Sequence, residues 1–364
     1  MRKLTVDLGE RSYPILIGQG ISEQITRHLS DRGILPSSPL LIVTDDNVAS
    51  FHLQKLKAAL EAGGYRTCDF IVSAGETSKS LAMLEEIIRV ALEAGLDRNS
   101  VIVALGGGVV GDLAGFAAAS YMRGIRFVQV PTTILAHDSS VGGKVAVNHR
   151  LAKNVIGAFH QPELVLYDTA LLQTLPPRDV RAGFAEVIKE GLILDKEYVE
   201  WFSDHLDALL ALDPPTLEKA LFEACRIKAE VVSQDERENG LREILNLGHT
   251  IGHALEAVAG YGTLLHGEAI SIGMVGAAQL SEEFGRSQSI TDTTRDLLKR
   301  IGCPVTIPRE LDTDAIMEAL MHDKKFREGK LTFILPLDIG RVEINKQVTK
   351  EQVRRIVDGL KQEE

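Results

Sequence analysis

The chain has few of the residues that would tie it to extracellular or nucleic-acid roles. Cys68, Cys225 and Cys303 stand far apart in 364 residues. Three cysteines without a CxxC spacing exclude a disulfide framework and a zinc–thiolate site, and they fit a reducing compartment. Aromatic residues make up 5% of the sequence, with one tryptophan, so the core must be built from aliphatic side chains. Cations are outnumbered, 40 Lys and Arg against 51 Asp and Glu, for a formal charge of −11. No contiguous basic stripe offsets that balance, which argues against a nucleic-acid partner. Long uncharged apolar runs are missing as well. The nearest approach, Val101–Ala119, carries Asp112 and glycines at 106, 107, 108, 111 and 115, and it reads as strand, turn and helix, not as a membrane span. The opening MRKLTVDLGE runs into strand-like alternation without a signal peptide. The expectation is a cytoplasmic protein with no membrane partner.

What is present is an alternation of strands and helices, then a change of texture. Leu40–Asn47, Asp69–Val72, Val101–Leu105, Phe127–Thr133 and Leu164–Asp168 have the apolar, β-branched look of buried strands. Helical stretches reach to about Ala62 and run from about Ser80 to Ala94. This order predicts an α/β domain with a mostly parallel sheet and helices on both faces. After Thr174-Leu175-Pro176-Pro177, helical periodicities dominate: Val180–Leu194, Leu217–Gln234, Glu243–Ala259, Ala269–Phe284 and Asp292–Arg300. A strand pair, LTFILPL and RVEI, turns around Asp338-Ile339-Gly340 before a polar helical tail. The Pro-Pro step sets the expected boundary, with an α/β domain over residues 1–175 and a mainly α-helical domain over 176–364.

In the first half, Gly106, Gly108 and Gly111 form G-x-G-x-x-G between a strand and a helix. Glycines let the backbone approach a pyrophosphate, and a helix N-terminus supplies N–H groups and positive dipole. The usual acid about twenty residues on, which would hold a ribose, is missing. That region reads RGIRFVQVPTT, so Asp45 or Glu76 must serve in its place. The predicted dinucleotide site is therefore Rossmann-like but atypical.

In the second half, LNLGHTIGHALE sets His249 and His253 four residues apart, between Asn246 and Glu256. On one helix all four share a face. The spacing suggests a metal held by the two histidines and a carboxylate, with His266 and Glu186 competing for the same role. Spacing alone does not choose among them. Lys189 sits three residues after Glu186, and Lys228, Arg242, Lys324 and Lys325 also lie among apolar neighbours. Arg123, Lys144 and Lys153 do the same in the first half. Cations embedded in apolar or glycine-rich sequence point to an anionic ligand.

Nine motifs occur in one order: GETSKS (75–80), GGGVVGD (106–112), YMRG (121–124), PTT (131–133), DSSVGGK (138–144), AEVIKEG (185–191), LNLGHTIGHALE (245–256), HGEA (266–269) and DKK (323–325). The set resembles the 3-dehydroquinate synthase family of sugar-phosphate cyclases from about Asp45 to Lys325. The resemblance implies NAD and one divalent metal, zinc or cobalt, in a homodimer whose active site lies between two domains. Carried over residue by residue, the metal ligands fall on Glu186, His249 and His266, and His253 becomes a proton-transfer group. Nucleotide contacts fall on Asp45, Asn47, Glu76, Lys79, Gly107, Gly108, Val109 and Asp112. Thr132, Thr133, Asp138, Leu171 and Thr174 join them, as do Lys144 and Lys153. Substrate contacts fall on Arg123, Lys144, Lys153, Asn154, Lys189 and Lys228. Arg242, Asn246 and either Lys324 or Lys325 complete that set. The chain departs from many members at Ala136-His137-Asp138, which is one residue shorter, so His137 takes no role from the match.

The implied substrate is 3-deoxy-D-arabino-heptulosonate 7-phosphate, converted to 3-dehydroquinate and phosphate. The implied steps are transient oxidation by NAD, phosphate elimination, reduction, ring opening and intramolecular aldol closure. A carboxylate at one end and a phosphate at the other would explain why an acidic protein embeds so many cations. Two other readings compete. One is a sister cyclase acting on another sugar phosphate. The other is a net oxidoreductase like the metal-dependent glycerol dehydrogenases.

Overall fold

The computed structural model describes residues 1–260, 262–322, 326–327 and 330–362. Contacts divide the chain into two units, Met1–Leu175 with Leu212–Arg237, and Pro176–Ala211 with Glu238–Glu364. The helix Pro214–Gln234, assigned from sequence to the second domain, thus belongs to the first unit, where it packs on the strands Arg2–Val6 and Tyr13–Gly18. Periodicity identifies a helix but not the surface it covers.

The first unit is built on a seven-stranded sheet. Its strands are β1 (Arg2–Val6), β2 (Tyr13–Gly18), β3 (Leu40–Asp45), β4 (Thr67–Val72), β5 (Val101–Gly106), β6 (Arg126–Pro131) and β9 (Leu164–Asp168), in the order β1-β2-β9-β6-β5-β3-β4. All neighbours pair in parallel except the edge hairpin β1–β2. Side-chain alternation fills both faces. Leu40, Ile42, Val101, Val103, Leu105, Val128 and Val130 enter one core, while Leu41, Val43, Ile102, Ala104 and Phe127 enter the other. Burial on both faces explains why these strands read as continuous apolar runs. Each fully buried aliphatic side chain contributes about 1.5–3 kcal/mol. A separate antiparallel hairpin, β7 (Lys144–His149) and β8 (Ala152–Phe159), was not anticipated from sequence, because its second strand is mostly exposed and its apolar residues do not alternate.

The second unit is mainly helical. Pro177–Leu194 begins with Pro177 in its first turn, where a missing N–H costs nothing. The helix expected over Glu243–Ala259 is instead a short 3-10 turn, Leu241–Asn246, and an α-helix, His249–Ala259. Gly248 breaks them with a φ of 81°, so Asn246 does not share the histidine face of the α-helix. His266–Glu282 follows, then Gln288–Ile301, Thr313–His322 and Lys350–Gln362. Strands Phe326–Arg327, Lys330–Asp338 and Arg341–Thr349 form an antiparallel sheet. Among the described residues no helix is long and apolar enough to cross a membrane.

Two glycines of His266–Glu282 let its neighbours come to backbone contact. A β-carbon at Gly273 would collide with the carbonyl of Gly248, and one at Gly267 with the carbonyl of Ala182. Gly359, in the last helix, faces open space. Gly267→Ala is therefore expected to cost more than about 2 kcal/mol by forcing the helices apart. Gly359→Ala should gain about 0.5–1 kcal/mol from helix propensity. Denaturant unfolding of both variants checks the contrast in sign, and a neutral Gly267→Ala would show that the helices can separate at little cost.

Candidate functional site

Each unit gathers its own set of chemical groups. In the first unit, β3 is followed by β4 on one side of it, and β5 lies on the other, so the strand order reverses between β3 and β5. Ligands of open parallel sheets bind outside the strand carboxyl ends at such a reversal. The register makes these ends level, with Asp45 opposite Val72, Thr44 opposite Leu105 and Gly106 opposite Pro131. Asp45 is the last residue of β3, and Asn47, Glu76, Gly107, Gly108, Val109, Thr132 and Thr133 lie within a few residues beyond these four ends.

The helix Gly108–Ser120 starts at Gly107 with no side-chain cap, which leaves its first N–H groups for an anion. A side chain at Gly107 would strike Thr133 Cγ2, 2.9 Å from its β-carbon. The hydroxyl of Thr132 is buried with no hydrogen-bond partner among the described residues. Asp45 accepts from the Val48 N–H at 2.9 Å and caps its own helix, while burial pushes its carboxyl above the ordinary range.

Beside this edge, the nearly buried Lys79 donates to Asp112 at 2.6 Å and to Asn154 Oδ1. Asn148 donates to Glu76 at 2.7 Å and accepts from the Asn154 N–H at 2.8 Å. The Asn148 N–H in turn donates to the Lys79 carbonyl. The hairpin β7–β8 is thereby tied to the loop after β4. Lys144 and Lys153 lie on that hairpin, both exposed. Lys228 donates to the carbonyl and carboxylate of Asp138, the latter at 2.6 Å.

Thr174 donates to the Leu171 carbonyl at 3.1 Å and accepts from His52 Nε2 at 2.9 Å. Sequence reading missed His52, whose partner lies 122 residues away. It sits in a π-helical turn, Ala49–Leu53, and burial lowers its pKa. His137 is buried and donates from Nδ1 to the Ile134 carbonyl. Arg123 is not brought to this edge. It precedes the amino end of β6 with a φ of 69° and is exposed.

In the second unit, ring nitrogens of His249, His253 and His266 lie within 4.8 Å of one another. Three imidazoles at such separations can converge on one ion. His249 donates from Nδ1 to the Leu247 carbonyl at 3.1 Å, and His266 Nδ1 meets Glu256 Oε2 at 3.1 Å. Partners on Nδ1 direct Nε2 lone pairs toward a metal, the usual outer support of metal-binding histidines.

Glu186 is fully buried; its Oε2 accepts from Lys189 Nζ at 2.8 Å, and its Oε1 has no partner among the described residues. It stands one turn beyond Ala182, where the helix Pro177–Leu194 touches Gly267. The structure thus groups His253 with the two expected histidine ligands, and Glu186 is not part of that trio. Arg242 is buried on the 3-10 turn, and Asn246 donates to Glu238 at 3.1 Å. Lys324 and Lys325 lie outside the described residues.

Two adjoining family models match the sequence, 3-dehydroquinate synthase N-terminal over residues 69–182 and 3-dehydroquinate synthase C-terminal over residues 183–326. Together they cover more than two thirds of the chain. The chain belongs to the 3-dehydroquinate synthase family of sugar-phosphate cyclases. Among solved structures it is similar to a 2-deoxy-scyllo-inosose synthase complexed with carbaglucose-6-phosphate, NAD+ and Co2+, at 29% identity and a TM-score of 0.91, over 98% of this chain and 99% of that one. It is also similar to the 2-epi-5-epi-valiolone synthase of Streptomyces hygroscopicus subsp. jinggangensis 5008 with NAD+ and Zn2+ bound, at 28% identity and a TM-score of 0.87, over 97% and 98% of the two chains. A glycerol dehydrogenase from Schizosaccharomyces pombe, at 15% identity and a TM-score of 0.66 over 95% and 88%, shares the fold alone.

One family-type position can be read by pH. Burial pushes the Asp112 carboxyl from 3.8 up to about 6, against the pull of Lys79. A raised folded pKa means that the folded state binds the extra proton, so the contribution is present below 3.8 and lost as pH rises through about 6. The urea midpoint of the wild-type protein should therefore fall relative to that of Asp112→Asn between about pH 4 and pH 6. A constant difference across that window would place the Asp112 pKa at its ordinary value.

Proposed function

We propose that the chain is a 3-dehydroquinate synthase, converting 3-deoxy-D-arabino-heptulosonate 7-phosphate to 3-dehydroquinate and phosphate with NAD and one divalent metal. The observation that carries this reading is the ordered set of nine motifs, including Asn246 and the lysines after Asp323, together with Arg242 just ahead of the seventh motif. The residues fit both groups. The glycine-lined edge with the unpartnered Thr132 hydroxyl suits a dinucleotide, and the histidine trio with the orphaned Glu186 Oε1 suits a metal. When bound, NAD supplies reversible hydride acceptance and the metal acidifies a substrate hydroxyl.

The chain's own residues do the rest. Lys153, Asn154, Lys189 and Arg242 hold the carboxylate and phosphate ends, assisted by Lys144, Lys228, Asn246 and either Lys324 or Lys325. Charge-assisted hydrogen bonds of this kind favour an anion over a neutral sugar. Glu186, His249 and His266 ligate the metal. His253 relays protons to and from the reacting hydroxyls, as an imidazole titrating near neutrality can. The departing phosphate oxygen serves as base for the elimination, so no further base is required. A homodimer in the cytoplasm completes the reading.

A sister cyclase is the second reading, favoured by the 28–29% identity to enzymes named for other cyclitol products. Purified protein with NAD, Co2+ and the heptulosonate phosphate should release phosphate steadily with no net NADH absorbance. Net NADH would identify a dehydrogenase. Silence with this substrate, alongside phosphate release from a hexose or other heptulose phosphate, would establish the sister reading. His253→Ala should lower turnover by about 10²–10⁴-fold, the usual worth of a proton-transfer group, and retain its metal. Loss of metal from that variant would make His253 a ligand beside His249 and His266 and overturn the assignment of the set.

A further inference from the structure

The helix Pro177–Leu194 carries three charged groups that the interior fully encloses. Glu186 and Glu190 have no exposed side-chain surface and Lys189 only 1%. Lys189 Nζ lies 2.8 Å from Glu186 Oε2 and 3.5 Å from Glu190 Oε1. One ammonium is thus flanked by two carboxylates one turn apart. The closer contact is to the carboxylate that the proposed reading assigns to a metal. Both cations cannot take full advantage of Glu186 at once, because a dication on its oxygens repels an ammonium at hydrogen-bond distance. A buried ammonium without a partner costs several kcal/mol. The competition eases if Lys189 shifts toward Glu190, whose Oε1 already lies 3.5 Å from its Nζ.

We propose that Glu190 is a positioning residue that receives Lys189 when Glu186 ligates a divalent cation. This rests on the reading of Glu186 as a metal ligand. It assigns a purpose to a second buried carboxylate that none of the transferred roles uses. It also gives Lys189 two settings, one that neutralises Glu186 and one that leaves its ammonium beside Glu190 for an anionic substrate.

The test is equilibrium binding of Co2+ alone, read by its ligand-field absorbance and by dialysis, in a double-mutant cycle. Glu190→Gln should weaken Co2+ binding about tenfold, within the range found when outer partners of metal ligands are removed. In a Lys189→Met background, where no ammonium competes, Glu190→Gln should change binding by less than about twofold. Equal weakening in both backgrounds would mean that Glu190 merely attracts the dication, and an unchanged affinity in both would mean that it has no part; either overturns the proposal. If Glu190→Gln fails to fold, Glu190→Asp reads the same coupling with the charge kept and the reach shortened. A wild-type protein that binds no Co2+ would defeat the metal reading itself, a result distinct from failure of the cycle.

Discussion

At Gly273 and Gly267 the helix His266–Glu282 has no side chain to hold its neighbours away, so the Gly248 carbonyl and the Ala182 carbonyl lie against its backbone. Nearly everything chemical in the second unit depends on that approach. Gly248 is the residue before His249, and Ala182 is one turn before Glu186. Helices packed through larger residues stand about 8–10 Å apart between axes, and imidazoles projecting from them would be spread accordingly. With the backbones touching, three rings from two helices stand with centroids 5.1–5.8 Å apart. The glycines therefore set the spacing of the histidine trio, the candidate cation site of this unit.

The first unit obtains its site by a different constraint. Parallel strands in register end level, and the chain leaves β3, β4, β5 and β6 at one edge. Loops that follow those ends are neighbours however far apart they are in sequence. This is why Glu76 and Lys79 can share a network with Asp112 and Asn154, residues from a helix and a hairpin. Lys79 is nearly buried, and its two oxygen partners offset the desolvation that would otherwise make the position untenable. Asp112 is buried in the same arrangement, and that burial raises its carboxyl to about 6 despite the opposing pull of Lys79.

Much of this was legible because it is local. Buried strands announced themselves as apolar runs, and the uncapped helix start after β5 as glycines between strand and helix. The helix Pro177–Leu194 was announced by its period from Val180 onward, three residues short of its start. What was not legible depends on partners distant in sequence. His52 has no signature until Thr174 is seen beside it. The exposed strand Ala152–Phe159 carries little hydrophobic pattern to betray it. The helix Pro214–Gln234 has the period of its neighbours in sequence, yet its apolar face is spent on β1 and β2. Gly248 read as an ordinary helical residue within a promising histidine motif, and only its backbone conformation separates Asn246 from the helix that follows.

The same fold serves glycerol dehydrogenase at 15% identity, so architecture does not decide between net oxidation and an internal redox cycle. On the proposed reading, the distinction comes from how the lysines assigned to the substrate treat charge. Lys189 and Lys228 are each held by carboxylates, at 2.8 and 2.6 Å. A neutral polyol offers an ammonium nothing that would draw it from such a partner, because a hydroxyl dipole cannot replace a full negative charge in surroundings of low dielectric. A phosphate or a substrate carboxylate can, since it supplies equal or greater charge and more acceptor oxygens. Paired cations of this kind discriminate by exchange: the ligand must be anionic enough to compete with the protein's own acids. On the proposed reading, that competition selects a sugar phosphate over an uncharged alcohol before any bond is broken.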